Sequence, residues 1–231
     1  KRKKRVPYNL EKVSKMNITI ISDTHGKHRE LTDDLIGGDL LLHCGDSMTS
    51  GRNEQQLINF CEWFDNVENY KCKIFIAGNH CRIFQDNPKR ALEIVNCYKT
   101  IIYLQDSFYI FEGLKIYGSP WQPWFYDWAF NLPRKGAGLA SKWEAIPEDT
   151  DILLTHSPVF GILDTVEGRR NDHLGCELLA ERVKELSLKL HCWGHIHSGN
   201  GEFSDEKTLF VNASNLDESY EYSYKPKNII F

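Results

Sequence analysis

The residues of this 231-residue chain that could do chemistry fall into five short clusters, each closing an apolar run. Asp23 and His25 follow NITIIS, Asp46 follows LLLHCG, and Asn79 and His80 follow KIFIAG. His156 follows DILLT, and His195 and His197 follow LKLHCWG. An apolar run that ends in polar residues reads as a buried strand delivering side chains to one edge. His195 and His197 flank a single isoleucine, and in an extended strand residues i and i+2 share a face. Carboxylates, imidazoles and a carboxamide together suit Zn, Fe or Mn, and the lack of a thiolate among them argues against a structural zinc knuckle. Any one of these histidines alone is an ordinary satisfied polar residue. Five clusters at five strand ends need a common partner, because buried unpaired polar groups are costly. A pair of divalent cations is such a partner.

The elements that must position these groups alternate. After a basic leader, NITII reads as a strand and HRELTDDLI as a short helix, then DLLLH as a strand. NEQQLINFCEWFDNV is helical, with Leu57, Ile58, Cys61, Phe64 and Val67 on one face. KIFIA is a strand, and NPKRALEIVNCY a helix opened by Asn87 and Pro88. SFYIFEG and LKIYGSP form a hairpin around Glu112-Gly113. DILLTH, LKLHCWGHIH, KTLFVNAS and PKNIIF are further strands, and HLGCELLAERVKEL is an amphipathic helix. This order predicts an α/β fold with much of its sheet buried and the chemistry beyond the carboxyl ends of the strands. With 41% apolar and 26% charged residues, the composition is that of an ordinary globular chain. One domain over 17–231 follows, with residues 1–16 as a basic tail.

The pieces SDTHG (22–26), CGDS (44–47), AGNH (77–80), LTHSP (154–158) and WGHIH (193–197) stand in an order that resembles the calcineurin-like metallophosphoesterases. GSPWQPWFYDWAFNLPR, DILLTHSPVFGILD and HLGCELL resemble its metallophosphoesterase-domain-containing (UPF0046) subgroup, related to class III cyclic-nucleotide phosphodiesterases. The resemblance implies a single-domain β-sandwich flanked by helices. It implies that Asp23, His25 and His197 hold one metal ion, that Asn79, His156 and His195 hold the other, and that Asp46 bridges them. Two cations about 3.5–4 Å apart lower the pKa of a shared water, which attacks phosphorus. His80 is implied to stabilise or protonate the leaving oxygen, the alternative being a hydrogen-bonding residue beside the ligands with no proton role. The implied activity is a hydrolase, a phosphodiesterase for cyclic nucleotides or other small phosphodiesters. One departure stands out: the family usually has Asp or Glu after G-N-H, and this chain has Cys81. That opens an alternative, a catalytically weak member of the fold serving as an interaction scaffold.

Lesser candidates surround these motifs. Arg52 and Asn53, and His173 before a helix, are candidate substrate contacts, although Asp172 and His173 serve equally well as a helix cap. Trp121, Trp124, Phe125, Tyr126, Trp128 and Phe130 form either an aromatic wall over the site or a plug on a sheet edge. KRKKR carries +5 of a net −4, so the remaining chain is at −9, which disfavours a long nucleic acid as partner. The seven dispersed cysteines, without a CxxC pair, fit reduced thiols in the cytoplasm or nucleus. No run is long and apolar enough for a membrane helix. The partners expected are a small phosphodiester or nucleotide, with no membrane. Protein partners have no signal in the sequence.

Overall fold

In the computed structural model, which describes residues 15–166, 168 and 172–231, two sheets pack face to face. The first comprises β1 (Asn17–Ile21), β2 (Gly38–His43), β3 (Tyr70–Phe75), β4 (Ile101–Tyr103) and β13 (Lys227–Ile230), ordered β13-β1-β2-β3-β4. β1 to β4 are parallel and β13 lies antiparallel on β1. The second comprises β5 (Ser107–Phe111), β6 (Leu114–Ser119), β9 (Ile152–Thr155), β10 (Leu190–Trp193), β11 (Gly201–Ser204) and β12 (Leu209–Asn212), ordered β11-β12-β10-β9-β6-β5. Its four central strands are parallel and its two edge strands antiparallel to them.

The apolar runs are continuous because both faces of the central strands are covered. On β2, Leu40 and Leu42 face the second sheet, against Ile116, Leu154 and Cys192, while Leu41 packs with the helices outside. Those helices are α1 (Glu54–Asn66) and α3 (Pro88–Val95), with the single turn α2 (Ile83–Asp86) before α3. α1 buries Leu57, Cys61 and Phe64, as its periodicity predicts, together with Phe60 and Trp63, which lie outside the predicted stripe, while Ile58 is only partly buried. Outside the second sheet lie α4 (Ala137–Glu144) and α5 (Glu177–Glu185). The order of layers is helix, sheet, sheet, helix.

Two local readings change. HRELTDD forms a 3-10 turn rather than an α-helix, since only His28 and Leu31 are buried and so short an apolar stripe cannot offset helix nucleation. AGLASKWE, which carries no clear sequence signal, is α4, anchored by Leu139 and Trp143 one turn apart in the second helical layer. Met16 exchanges backbone hydrogen bonds with Phe231, so the sheet begins at the end of the segment read as a tail. KRKKR itself lies outside the described residues.

One buried residue ties this core to pH. His191 on β10 is fully buried between Trp193 and Phe210, with Nε2 bonded to Thr155 Oγ1 at 2.9 Å. Burial pushes the ring down to about 3. Its neutral form therefore stabilises the fold fully above the ordinary value near 6.5, and that contribution is lost as pH falls from 6.5 toward 3. The loss is about 1.4 kcal/mol per pH unit in that window. His191→Gln should flatten the dependence of metal-free unfolding free energy on pH between 6.5 and 4 by roughly this slope. Parallel curves for the two proteins would refute the assignment.

Candidate metal centre

The carboxyl ends of β1, β2, β3, β9 and β10 converge on one edge of the sandwich, and each passes its polar residues to the same cavity. The backbone there is unusual. Asp23, His25, Asp46 and His195 have φ of 52°, 40°, 54° and 70°, the left-handed region that side chains other than glycine avoid. Strain of this kind persists where surrounding structure over-determines it, and it clusters at functional sites. The Asp46 carboxylate also lies against Gly78, where a Cβ would stand 2.3 Å from Oδ1. The glycine of G-N-H is thus a requirement of close approach.

The side chains gather in two overlapping groups. In the first, His25 Nε2 lies 3.3 Å from His197 Nε2, and these lie 3.9 Å and 3.6 Å from Asp23 Oδ1. In the second, Asn79 Oδ1 is 2.9 Å from both His156 Nε2 and His195 Nδ1. Asp46 touches both, with Oδ2 3.2 Å from His156 Nε2 and 3.9 Å from His25 Nε2. His195 and His197 therefore face different groups. His195 leaves the strand in a left-handed turn and His197 opens a short 3-10 turn, so the i, i+2 rule of an extended strand does not govern them.

Second contacts orient the rings. His156 Nδ1 donates to Cys44 O and His197 Nδ1 to Asp217 O. Asp23 accepts from His195 N through both oxygens and from Ser214 Oγ. Asp46 Oδ1 accepts from His80 N at 2.7 Å. With Nδ1 donating outward, neutral His156 presents a bare Nε2 lone pair to the Asn79 and Asp46 oxygens. No proton is left to share, so these acceptors repel unless something positive sits among them. The metal-free site takes a proton instead. Burial opposes charge on His156, yet Asp46 beside it prevails and lifts it to about 9. Burial likewise opposes charge on His197, yet its contact with Asp23 raises it to about 9. Burial pushes His25 to about 4 and His195 to about 3. Burial disfavours the charged carboxylates, but surrounding imidazoles hold Asp23 and Asp46 below the usual range. A donor set of two buried anions, four imidazoles and an amide oxygen, attracting positive charge at two points, fits divalent cations. Asp23, His25 and His197 lie close enough to share one ion, as do Asp23, Asp46 and His156.

His80 sits at the rim. Its Nδ1 donates to Thr49 O, its ring lies flat on Trp128 at 3.9 Å, and it stands edge-on to His25 at 4.7 Å. Cys81 turns away into the core, fully buried 3.8 Å from Ser47 Oγ, and burial pushes its thiol up to about 11. The Thr49 carbonyl therefore orients His80 without help from residue 81.

The lesser candidates fall elsewhere. Arg52 is exposed ahead of α1 and absent from the cavity wall. Asn53 Oδ1 accepts from Gln55 N, so it caps α1. His173 pairs with buried Asp164, which also accepts from Gly161 N and Gly175 N and so clamps that loop. The aromatic segment divides between its two readings. Trp121 and Phe130 pack against the core, whereas Trp124 and Phe125 line the cavity and Trp128 stacks on His80. The pairing of β7 (Gln122–Pro123) with β8 (Asn131–Leu132) sets Trp124 and Phe125 on the wall of a cavity of about 220 Å³. Sequence reasoning missed Arg134, Glu218 and Tyr220 in that wall. Tyr220 packs its ring on His25 and His197 from a left-handed residue near the carboxyl end, where no sequence pattern marks it.

A four-layer sandwich with carboxylates, imidazoles and an amide gathered at its strand ends defines the metallophosphoesterase fold class. Residues 16–199 match the calcineurin-like phosphoesterase family, and the chain belongs to it, within the metallophosphoesterase-domain and UPF0046 subgroup. It is 38% identical over 222 residues to metallophosphoesterase domain-containing protein 1 of Homo sapiens, covering 87% of this chain and 66% of that one. It thus spans slightly under two thirds of that relative. A UPF0046 protein of Caenorhabditis elegans is 33% identical, covering 94% of this chain and 81% of its own. A solved Thermus thermophilus protein shares the fold with a TM-score of 0.62 at 14% identity, covering 94% of this chain and 99% of that one.

Proposed function

We propose that this protein is a metal-dependent phosphodiesterase acting on small phosphodiesters, cyclic nucleotides foremost, with two divalent cations of Mn, Fe or Zn. The observation that carries the reading is the convergence of seven donors from five strand ends, with His156, its Nδ1 committed outward, aiming Nε2 at the oxygens of Asn79 and Asp46. Asp23, His25 and His197 would hold one cation, Asn79, His156 and His195 the other, and Asp46 both. A bound pair would polarise the phosphoryl group and activate water.

The chain's own residues supply the rest. With His80 Nδ1 donating to Thr49 O, Nε2 is the atom left to face the leaving oxygen, and it is the imidazolium form of the ring that would hand over a proton there, leaving the neutral ring behind. The Trp128 stack keeps that ring from turning. Trp124 and Phe125 shield one side of the cavity from water and offer apolar surface to the organic part of the ester. Among the described residues no helix is long and apolar enough to cross a membrane.

The test is hydrolysis of bis(p-nitrophenyl) phosphate by stripped protein resupplied with Mn²⁺. Asn79→Ala should lose on the order of 10²-fold or more in kcat, because one cation loses a ligand. A folded wild type holding two metals per chain yet turning over no diester would instead favour the scaffold reading.

A further inference from the structure

We propose that Glu218 sets the charge preference of the cavity, admitting a singly charged phosphodiester and disfavouring a doubly charged phosphomonoester; this rests on the phosphoesterase reading above. The inference starts from the charges in the cavity wall. Among the described residues Arg134 is the one Lys or Arg side chain lining it. Its charge is already matched: Nη1 donates to Glu177 Oε2 at 2.8 Å and to Gly175 O at 2.7 Å, and Nη2 donates to Leu174 O at 2.9 Å. The donors left over are Nε–H and one Nη2–H, enough to grip one oxyanion but backed by a neutralised guanidinium.

Glu218 adds negative charge to the same wall. Its segment cannot swing aside. Asp217 accepts from His197 Nδ1 through its carbonyl, while its carboxylate accepts from Ser219 N, Glu221 N and Ser223 Oγ. Glu221 is tied to Lys27 at 2.7 Å, and the Tyr220 ring is packed on His25 and His197. Glu218 Oε1 accepts from Ser198 N at 3.1 Å, one residue past His197. Its neighbours' charges are compensated, Asp217 by hydrogen bonds and Glu221 by Lys27, whereas no ion pair neutralises Glu218 among the described residues. Glu218 is exposed, and a carboxylate held in this way on the cavity wall repels a bound anion in proportion to that anion's charge, an effect that salt screens. A phosphomonoester carries nearly two negative charges above pH 7, a diester one. The same repulsion would hasten release of a monoester product.

The experiment separates charge from size. Mn²⁺-loaded wild type and Glu218→Gln are compared at pH 8 on p-nitrophenyl phosphate and on p-nitrophenyl methylphosphonate, which share a leaving group and differ mainly in charge. Binding is read independently by isothermal titration with phenylphosphonate, the dianion, and phenyl methylphosphonate, the monoanion. Glu218→Gln should tighten the dianion and raise its kcat/KM roughly 3- to 10-fold, act on the monoanion by only about the square root of that factor, roughly 2- to 3-fold, and lose the difference at about 1 M salt. Equal changes for both ligands, or none, would overturn the proposal. If wild type turns over neither ester, the phosphodiesterase reading fails while the titration still decides the charge selection.

Discussion

Asp46→Ala should leave the protein with at most one metal ion per chain and cut phosphoesterase turnover by on the order of 10³-fold or more, the equivalent of several kcal/mol of lost transition-state stabilisation. Asp46 reaches both donor groups, His156 on one side and His25 on the other. Removing it takes away an anion on which each group depends. It also strips His80 N of its acceptor, so the residue proposed as proton donor is disturbed as well. Asp46→Asn separates the two effects. It keeps an oxygen for His80 N while removing the charge, so it should restore the fold around His80 without restoring the second ion. Metal content by mass spectrometry reads the outcome directly. Two ions retained in Asp46→Ala would end the bridging assignment, whatever the activity.

Gly194→Ala should be nearly as damaging, although no chemistry resides in its side chain. A Cβ on Gly194 would stand 1.9 Å from Asp23 Oδ2 and 2.1 Å from Ser22 Oγ. Neither atom has room to retreat, since both residues are fully buried and Asp23 is held by His195 N and Ser214 Oγ. Overpacking of this kind costs about 3 kcal/mol, which for a chain of this size lowers Tm by roughly 6–12 °C. If the carboxylate yields instead, the first donor group loses Asp23 and metal affinity falls with it. Thermal unfolding of the metal-free protein and a metal titration together cover both routes. A variant with Tm within about 2 °C of wild type and two ions bound would show that this close approach is dispensable.

The pattern of legibility follows from how each feature is encoded. The central strands and α1 were readable because burial on two faces, or on one helical stripe, imprints a local pattern: Leu40, Leu41 and Leu42 all vanish from solvent, as do Leu57, Phe60 and Phe64. α4 was not readable, because two anchoring residues with a glycine beside them make no periodic signal. The lesser site residues misled for a similar reason. Asn53 is a good cap and a good phosphate ligand by type, and only its bond to Gln55 N distinguishes the two. His173 has a carboxylate partner, Asp164, that nothing local reveals.

By itself the sequence determined the donor set and its order along the chain. The seven candidate ligands and His80 are residue types with definite chemistry, placed where strands end, and the glycines of G-N-H and G-H-x-H stand beside them. Only the tertiary structure decided how those donors are shared. Which nitrogen of each ring points inward depends on the outward bond of the other, to Cys44 O for His156 and to Asp217 O for His197, across 112 and 20 residues. The left-handed turns at Asp23, His25, Asp46 and His195 cost energy locally and exist because two packed sheets hold them. The wall that faces a substrate, with Arg134, Glu218 and Tyr220, comes from loops whose residues meet only after the sandwich closes. Chemistry resides in residue types, which are local; distance, orientation and net field are properties of contacts between distant segments, and no local pattern carries them.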